Sequence, residues 1–326
     1  MRSINARRGV ALPDALVLSA IVVVAVGILF PALRTARDAA STENCAENLR
    51  KLGQAVLAFE AATGELPNGW YGPNYSADNP SIYSGWGTRL LPHLGEQEKR
   101  LYERYSWKHH YYDPVNQTVI STPLEVFHCP AAPPIRTMTT LTNIQTNETF
   151  ENRQAATSDY NIPRGYMEYR VPRVDNRVPS ALMGLSADGA ERRCTNIIPR
   201  RDLVTDGMSS SIMLTEQGGR PEYYVKREKQ PDPSKIFHAG FIGPWAGWGS
   251  NWARCGTPDG TREHKGVSTC LVNCNNGFGI YSFHEGGANT LFMDGSTRFL
   301  AESIEPTVLF ALLSRAGGEI TSPSDY

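Results

Sequence analysis

The stretch that decides the fold is Gly9 to Phe59, GVALPDALVLSAIVVVAVGILFPALRTARDAASTENCAENLRKLGQAVLAF. Behind a basic start (Arg2, Arg7, Arg8) comes one acid, Asp14, and then nineteen residues without a charge, Ala15 to Leu33. As a helix those nineteen residues rise about 28 Å, the thickness of a bilayer's hydrocarbon core. A buried core helix and a removed secretory signal are the competing readings. The run is longer than the apolar core of most signals, and its basic start is the flank that stays on the cytoplasmic side. Pro31 interrupts the helical pattern, which lipid-embedded helices tolerate when neighbouring groups re-satisfy the backbone. Beyond Arg34, Arg37 and Asp38 the pattern becomes one-sided: Cys45, Leu49, Leu52, Val56 and Phe59 recur at steps of four and three. That stripe predicts an amphipathic continuation of the same helix, packed on a head and ended by Gly64 and Pro67.

Composition sets the outer limits. With 326 residues, 40% hydrophobic and 20% charged, the chain can bury a large core. A net charge of −1 argues against a nucleic-acid binder, whose phosphate footprint needs a basic face. Abundant Gly (29) and Pro (22) favour a turn-rich β head over a helical bundle. The reading is therefore α+β: a long N-terminal transmembrane and stalk helix packed on a mostly antiparallel β-sheet head. Its parts are a basic leader (1–9), the transmembrane and stalk helix (10–64) and an extracytoplasmic head (65–326).

Six cysteines, Cys45, Cys129, Cys194, Cys255, Cys270 and Cys274, all follow the apolar run. An even count beyond a membrane anchor fits up to three disulfides in an oxidising compartment, and spacing does not choose among their pairings. Zinc competes only at Cys270-x3-Cys274, with His264 and Cys255 upstream, and no second close pair completes it. His109, His110 and His128 lack clustered partners and read as surface residues.

Along the head, a helix is expected from Leu90 to Tyr105 and a short strand from Leu124 to Phe127. Residues 131 to 157, rich in Thr and Asn, read as an exposed loop. A strand is expected through Ser211 to Thr215 after the Asp206-Gly207 turn. In GPWAGWGSNW (243–252) the tryptophans fit either a stacking surface for a ligand or aromatic packing over a glycine-rich loop. The C-terminal stretch VNCNNGFGIYSFHEGGANTLFMDGSTRFL (272–300) parses as a strand near Tyr281, a strand Ala288 to Met293, a tight Asp294-Gly295 turn and a strand Thr297 to Leu300. Asp-Gly between alternating apolar residues is a strong hairpin signal.

Two sets of residues carry a resemblance. RRGVALPDALVLSAIVVVAVGILFPALRTARDAA resembles the start of type IV prepilins and type II secretion pseudopilins. FHEGGAN with Asp294-Gly295, in which nine residues separate His284 from Asp294, resembles the C-terminal motif of a large bacterial family of pilin-like proteins, a domain of unknown function behind a prepilin-type start. CAENLRKLGQAVLAFEAATGELPNGW, LLPHLGEQ, VFHCP, VTDGMSSSIMLTE and LLSRAGGEI extend the likeness over most of the chain.

The resemblance implies cleavage by a prepilin peptidase after Gly9 and N-methylation of the new first residue, Val10. It also implies a fifth-position acid, Asp14, buried among other pilin-like subunits, and a helix-kinking proline, Pro31. The segment Val-Ala-Leu-Pro-Asp stands where that family has Phe-Thr-Leu-Val/Ile-Glu. The implied protein is a non-enzymatic structural subunit of a type IV pilus or type II secretion-like assembly. It would be anchored once in the cytoplasmic (inner) membrane, N-terminus inside and head outside, with the lipid bilayer and other subunits as partners.

The alternative is a membrane-tethered module that binds a glycan or peptide, with Trp245 and Trp248 at its site. His284 with Glu285 and Asp294 lacks the nucleophile a hydrolase needs. Asn289 and Asp294 supply hard oxygens that would suit Ca2+ as a cofactor; against it, the Asp-Gly pair serves a turn.

Overall fold

A computed structural model describes residues 12–72, 82–143, 146, 148–163, 200–232, 239–251, 256–262, 270–277, 279–319 and 321–322. Helix α1 runs from Leu12 to Thr63, 52 residues with Pro31 inside. It stops at Gly64, whose φ of +80° only glycine adopts without strain and whose N–H still reaches the Glu60 carbonyl at 2.7 Å.

The chain divides into two units, Met1–Ser41 and Thr42–Tyr326. In the first, the apolar side chains are exposed all round: Val23 is 70% and Phe30 69% accessible. Pro31 lacks the N–H that would bond the Gly27 carbonyl, yet helical hydrogen bonding resumes beyond it, and Thr35 Oγ1 donates to the Pro31 carbonyl at 3.1 Å.

In the second unit the helix is amphipathic. Cys45, Leu49, Leu52 and Val56 are fully buried. Burying the two leucines and the valine contributes roughly 5–9 kcal/mol of transfer free energy. The stalk half of α1 is thus part of the head's core, which is why the compact unit begins at Thr42. Gly53 shares its face, where a Cβ would lie 2.8 Å from Leu291 Cδ2.

The remaining helices are short: α2 (Trp86–Leu90), α3 (Glu96–Arg104), α4 (Gln117–Ile120), α5 (Ala239–Ile242) and α6 (Pro306–Leu313). The strands are β1 (Trp70–Tyr71), β2 (Ser84–Gly85), β3 (Thr137–Thr142), β4 (Thr149–Ala156), β5 (Tyr160–Pro163), β6 (Ile212–Glu216), β7 (Tyr224–Val225), β8 (Glu228–Lys229), β9 (Ser250–Asn251), β10 (Gly287–Phe292) and β11 (Thr297–Ala301).

The central sheet has the order β11-β10-β6-β5-β9, antiparallel except where β5 meets β9. Its β10 strand alternates as a strand covered on both faces should. Leu291 joins the core that contains α1, while Ala288 and Phe292 join a second core with Leu309, Phe310, Leu312 and Leu313 of α6. The expected architecture of a long apolar helix with antiparallel sheets is what forms.

Several local expectations are corrected. The helix Leu90 to Tyr105 is broken into α2, a 3-10 turn Leu91–His93 and α3, because Pro92 supplies no N–H and Gly95 takes an extended conformation at the start of α3. Leu124 to Phe127 is not a strand; Glu125–Phe127 is a 3-10 turn. The expected loop at 131–157 contains the hairpin β3–β4, with Met138 and Leu141 turned inward. Near Tyr281 there is an isolated bridge to Gln217 instead of a strand.

Trp245 and Trp248 are 1% and 4% exposed, so they form no open stacking surface. Trp245 stacks on Phe127 at 5.9 Å, Trp245 Nε1 donates to the Thr122 carbonyl, and Trp86 Nε1 donates to the Gly249 carbonyl. The glycine-rich loop can approach because Gly85 and Gly87 have no side chain: a Cβ on Gly85 would sit 1.7 Å from the Gly247 carbonyl oxygen.

Candidate functional site

His284 is the centre of a buried polar node in the 42–326 unit. Its position is set by the turn before β10. Ser282 Oγ donates to the Gly287 carbonyl at 2.6 Å and accepts the His284 N–H at 3.2 Å. The Asn273 amide accepts the Ser282 N–H at 2.7 Å and donates to the Gly287 carbonyl at 2.9 Å. Arg227 donates to the His284 carbonyl from Nη2 at 2.8 Å and pairs with Glu302, which also accepts from Asn273. The imidazole therefore has a fixed backbone beneath it.

The ring reaches three partners from three other parts of the chain. Nδ1 lies 3.0 Å from Thr42 Oγ1 on α1. Nε2 lies 3.2 Å from Glu216 Oε1 at the end of β6 and 3.3 Å from Cys129 Sγ. The carboxylate can only accept, so Nε2 carries the proton and Nδ1 accepts the threonine hydroxyl. The other Glu216 oxygen accepts the Asn289 N–H at 2.7 Å, and Asn289 Nδ2 donates to the Thr42 carbonyl at 3.1 Å.

Cys129 is joined to Cys45 of α1 by a disulfide with Cα atoms 5.0 Å apart. A second disulfide links Cys270 to Cys274. The C-x3-C pair is thus oxidised, while Cys194, Cys255 and His264 lie outside the described residues. Tyr160 stands beside the first disulfide with its hydroxyl 3.4 Å from the Cys45 carbonyl. Burial, with the nearby Glu216 charge, pushes its phenol well above the usual tyrosine range.

A second polar centre adjoins the disulfide. Asp159 accepts the Cys129 N–H at 2.9 Å and the Gly219 N–H at 3.0 Å. The His128 ring is buried against it, 3.7 Å from Asp159 Oδ2, which corrects the expectation of a surface histidine. The fully buried Arg220 donates to the carbonyls of Gln217, Asn276 and Gly277. Burial pushes its guanidinium pKa down to about 9, against the pull of Asp159.

Gly9 and Val10 lie outside the described residues; Asp14 belongs to α1, but its side chain is not described. Asp294 and Gly295 form the β10–β11 turn, with Gly295 at φ +85° and Asp294 Oδ1 accepting the Ser296 N–H at 2.8 Å. Asn289 and Asp294, considered together for an ion, are not brought together. Four residues, Thr290 to Met293, stand between them, a step of roughly 15 Å along a near-extended chain, and the Asn289 amide points to α1.

Sequence reading missed Thr42, Glu216, Asn273, Asp159 and Asp206. Asp206 accepts the N–H groups of Gly317 and Gly318, both at 2.8 Å, and so joins the TDG and SRAGG segments. The one signal for Glu216 was an acid closing the apolar strand IMLTE.

A long N-terminal helix, Leu16–Thr63, with a stretch apolar enough to cross a membrane, joined to this α+β head, is the architecture of a pilin-like protein class. A family model described as "Protein of unknown function (DUF1559)" matches residues 34–307, and the chain belongs to that family. The matched span contains the whole node, from Thr42 to Asn289. No curated protein and no solved structure matches the chain.

Proposed function

We propose that this chain is a non-enzymatic structural subunit, anchored once in the cytoplasmic membrane, of a type IV pilus or type II secretion-like envelope assembly. One observation carries the reading: a single helix passes from all-round exposure of apolar side chains over residues 16–33 to one-sided burial at Cys45, Leu49, Leu52 and Val56. The first pattern suits lipid or the helices of like subunits; the second fastens a head. His284 and Glu216 hydrogen-bond each other and fixed parts of the fold, which supports a structural use for them.

In this reading a prepilin peptidase cuts after Gly9, and the free amine of Val10 attracts Asp14 of a neighbouring subunit. An unpaired acid inside lipid costs a few kcal/mol, so the pairing sets the axial register of packing. Asp14→Ala should abolish assembly while leaving the anchored monomer in the membrane fraction. Unchanged assembly refutes the mechanism. Mass spectrometry of the mature chain should find N-methylated Val10; an intact Met1 overturns the processing step. The ligand-binding alternative loses its proposed site with the burial of Trp245 and Trp248.

A further inference from the structure

We infer that the buried node is also a latent zinc site, closed by a disulfide in the oxidised chain and able to take Zn2+ once the Cys45–Cys129 bond is reduced. Cys45 Sγ, Cys129 Sγ, a ring nitrogen of His284 and a Glu216 carboxylate oxygen all lie within 4.8 Å of one another, and all four residues are buried. In a tetrahedral zinc site the ligand atoms stand about 2.0–2.3 Å from the metal, and so about 3.3–3.8 Å from each other. His284 Nε2 is already 3.2 Å from Glu216 Oε1 and 3.3 Å from Cys129 Sγ. The two sulfurs must part, by the breaking of their bond, and the four donors, now within 4.8 Å, must draw in around the ion.

The donor types select the ion. Two thiolates and an imidazole suit a borderline-soft d10 cation and disfavour Ca2+ or Mg2+. Two thiolates, one carboxylate and Zn2+ sum to −1, the same charge as a Cys3His structural site. The groups that orient the ligands are also in place. Thr42 Oγ1 holds the far nitrogen of His284, and the Asn289 N–H holds the far oxygen of Glu216. Four protein ligands leave no open position, so the site is structural rather than catalytic.

A dithiol reductant gives two electrons and two protons to the Cys45–Cys129 bond and becomes a disulfide itself. Zinc binding then releases the two thiol protons to solvent. The His284 proton moves from Nε2 to Nδ1, where Thr42 Oγ1 accepts it, and Nε2 turns to the metal. One covalent cross-link between α1 and the head is exchanged for one through the ion.

The test uses the full chain in detergent, reduced by a phosphine that is then removed. Samples with and without ZnCl2 are alkylated with iodoacetamide and mapped by peptide mass spectrometry. Zn2+ should protect Cys45 and Cys129 at one ion per chain and raise the Tm of the reduced chain but not of the oxidised one. Co2+ in its place should give a thiolate charge-transfer band and the d–d bands of tetrahedral geometry. Glu216→Gln and Thr42→Val retain both thiols and should weaken binding by roughly tenfold or more. Protection confined to Cys270 and Cys274, absence of the cobalt bands, or binding indifferent to both substitutions overturns the inference. These outcomes are independent of whether filaments form.

Discussion

Glu216 gives the sharpest stability test of the node. It is 1% exposed, and its two oxygens accept from different elements: the Asn289 N–H of β10 at 2.7 Å and His284 Nε2 at 3.2 Å. Glu216→Ala removes both acceptors and orphans two buried donors. Each hydrogen bond to a charged group is worth about 1.5–3 kcal/mol, so the gross loss is about 3–6 kcal/mol. Removing a buried carboxylate relieves some desolvation cost, which brings the expected net loss to about 3–4 kcal/mol. Glu216→Gln keeps an oxygen for Asn289 and offers an N–H to Nε2 of the other histidine tautomer, so it should cost only about 1 kcal/mol. The assay is urea unfolding of the oxidised full chain in detergent, followed by fluorescence of the buried Trp86 and Trp245. Equal losses for the two variants would refute the account, because a side chain that merely fills space does not distinguish them.

Replacing Cys45 and Cys129 together by serine opens a cross-link spanning 84 residues, which by loop-closure entropy should lower unfolding free energy by about 4–5 kcal/mol in the same assay. Gly85→Ala should cost about 3 kcal/mol or more, since its Cβ meets backbone of Gly247; Gly64→Ala, with open space and only a positive φ to contend with, should cost about 1–2 kcal/mol. Burial lowers the pKa of His110, whose Nδ1 accepts the Tyr83 N–H at 3.1 Å, and burial lowers His93 as well. The unfolded chain then binds protons that the folded chain does not, so stability is full above the ordinary histidine range and falls as pH drops below about 6.5. His110→Asn should flatten the dependence of Tm on pH between neutral and mildly acidic buffer, and an unchanged slope would rule the histidine out as its source.

The parts of the fold that were legible in the sequence are those specified locally. A charge-free run and a stripe at steps of three and four suffice for α1, and Asp294-Gly295 between alternating apolar residues suffices for β10–β11. The hairpin β3–β4 was hidden because its outward positions are Thr, Asn, Glu and Gln, and only Met138 and Leu141 of β3 turn inward. The expected helix from Leu90 failed because periodicity outweighed Pro92 and Gly95. The node was illegible for a different reason. Glu216 and Thr42 stand 68 and 242 residues from His284, and nothing in either local sequence announces the other. The motif histidine could be found, but not what it holds.

The nine residues between His284 and Asp294 are a ruler for β10. At one end the imidazole is pinned to α1; at the other the chain must turn toward β11. Because side chains alternate across a sheet, inserting one residue between them would exchange the faces, sending Leu291 toward α6 and Phe292 toward α1. Inserting two would restore the faces but carry the turn about 7 Å too far to pair with Thr297. The spacing therefore admits neither an odd nor an even change: parity is fixed by the two cores, and length by the strand alongside.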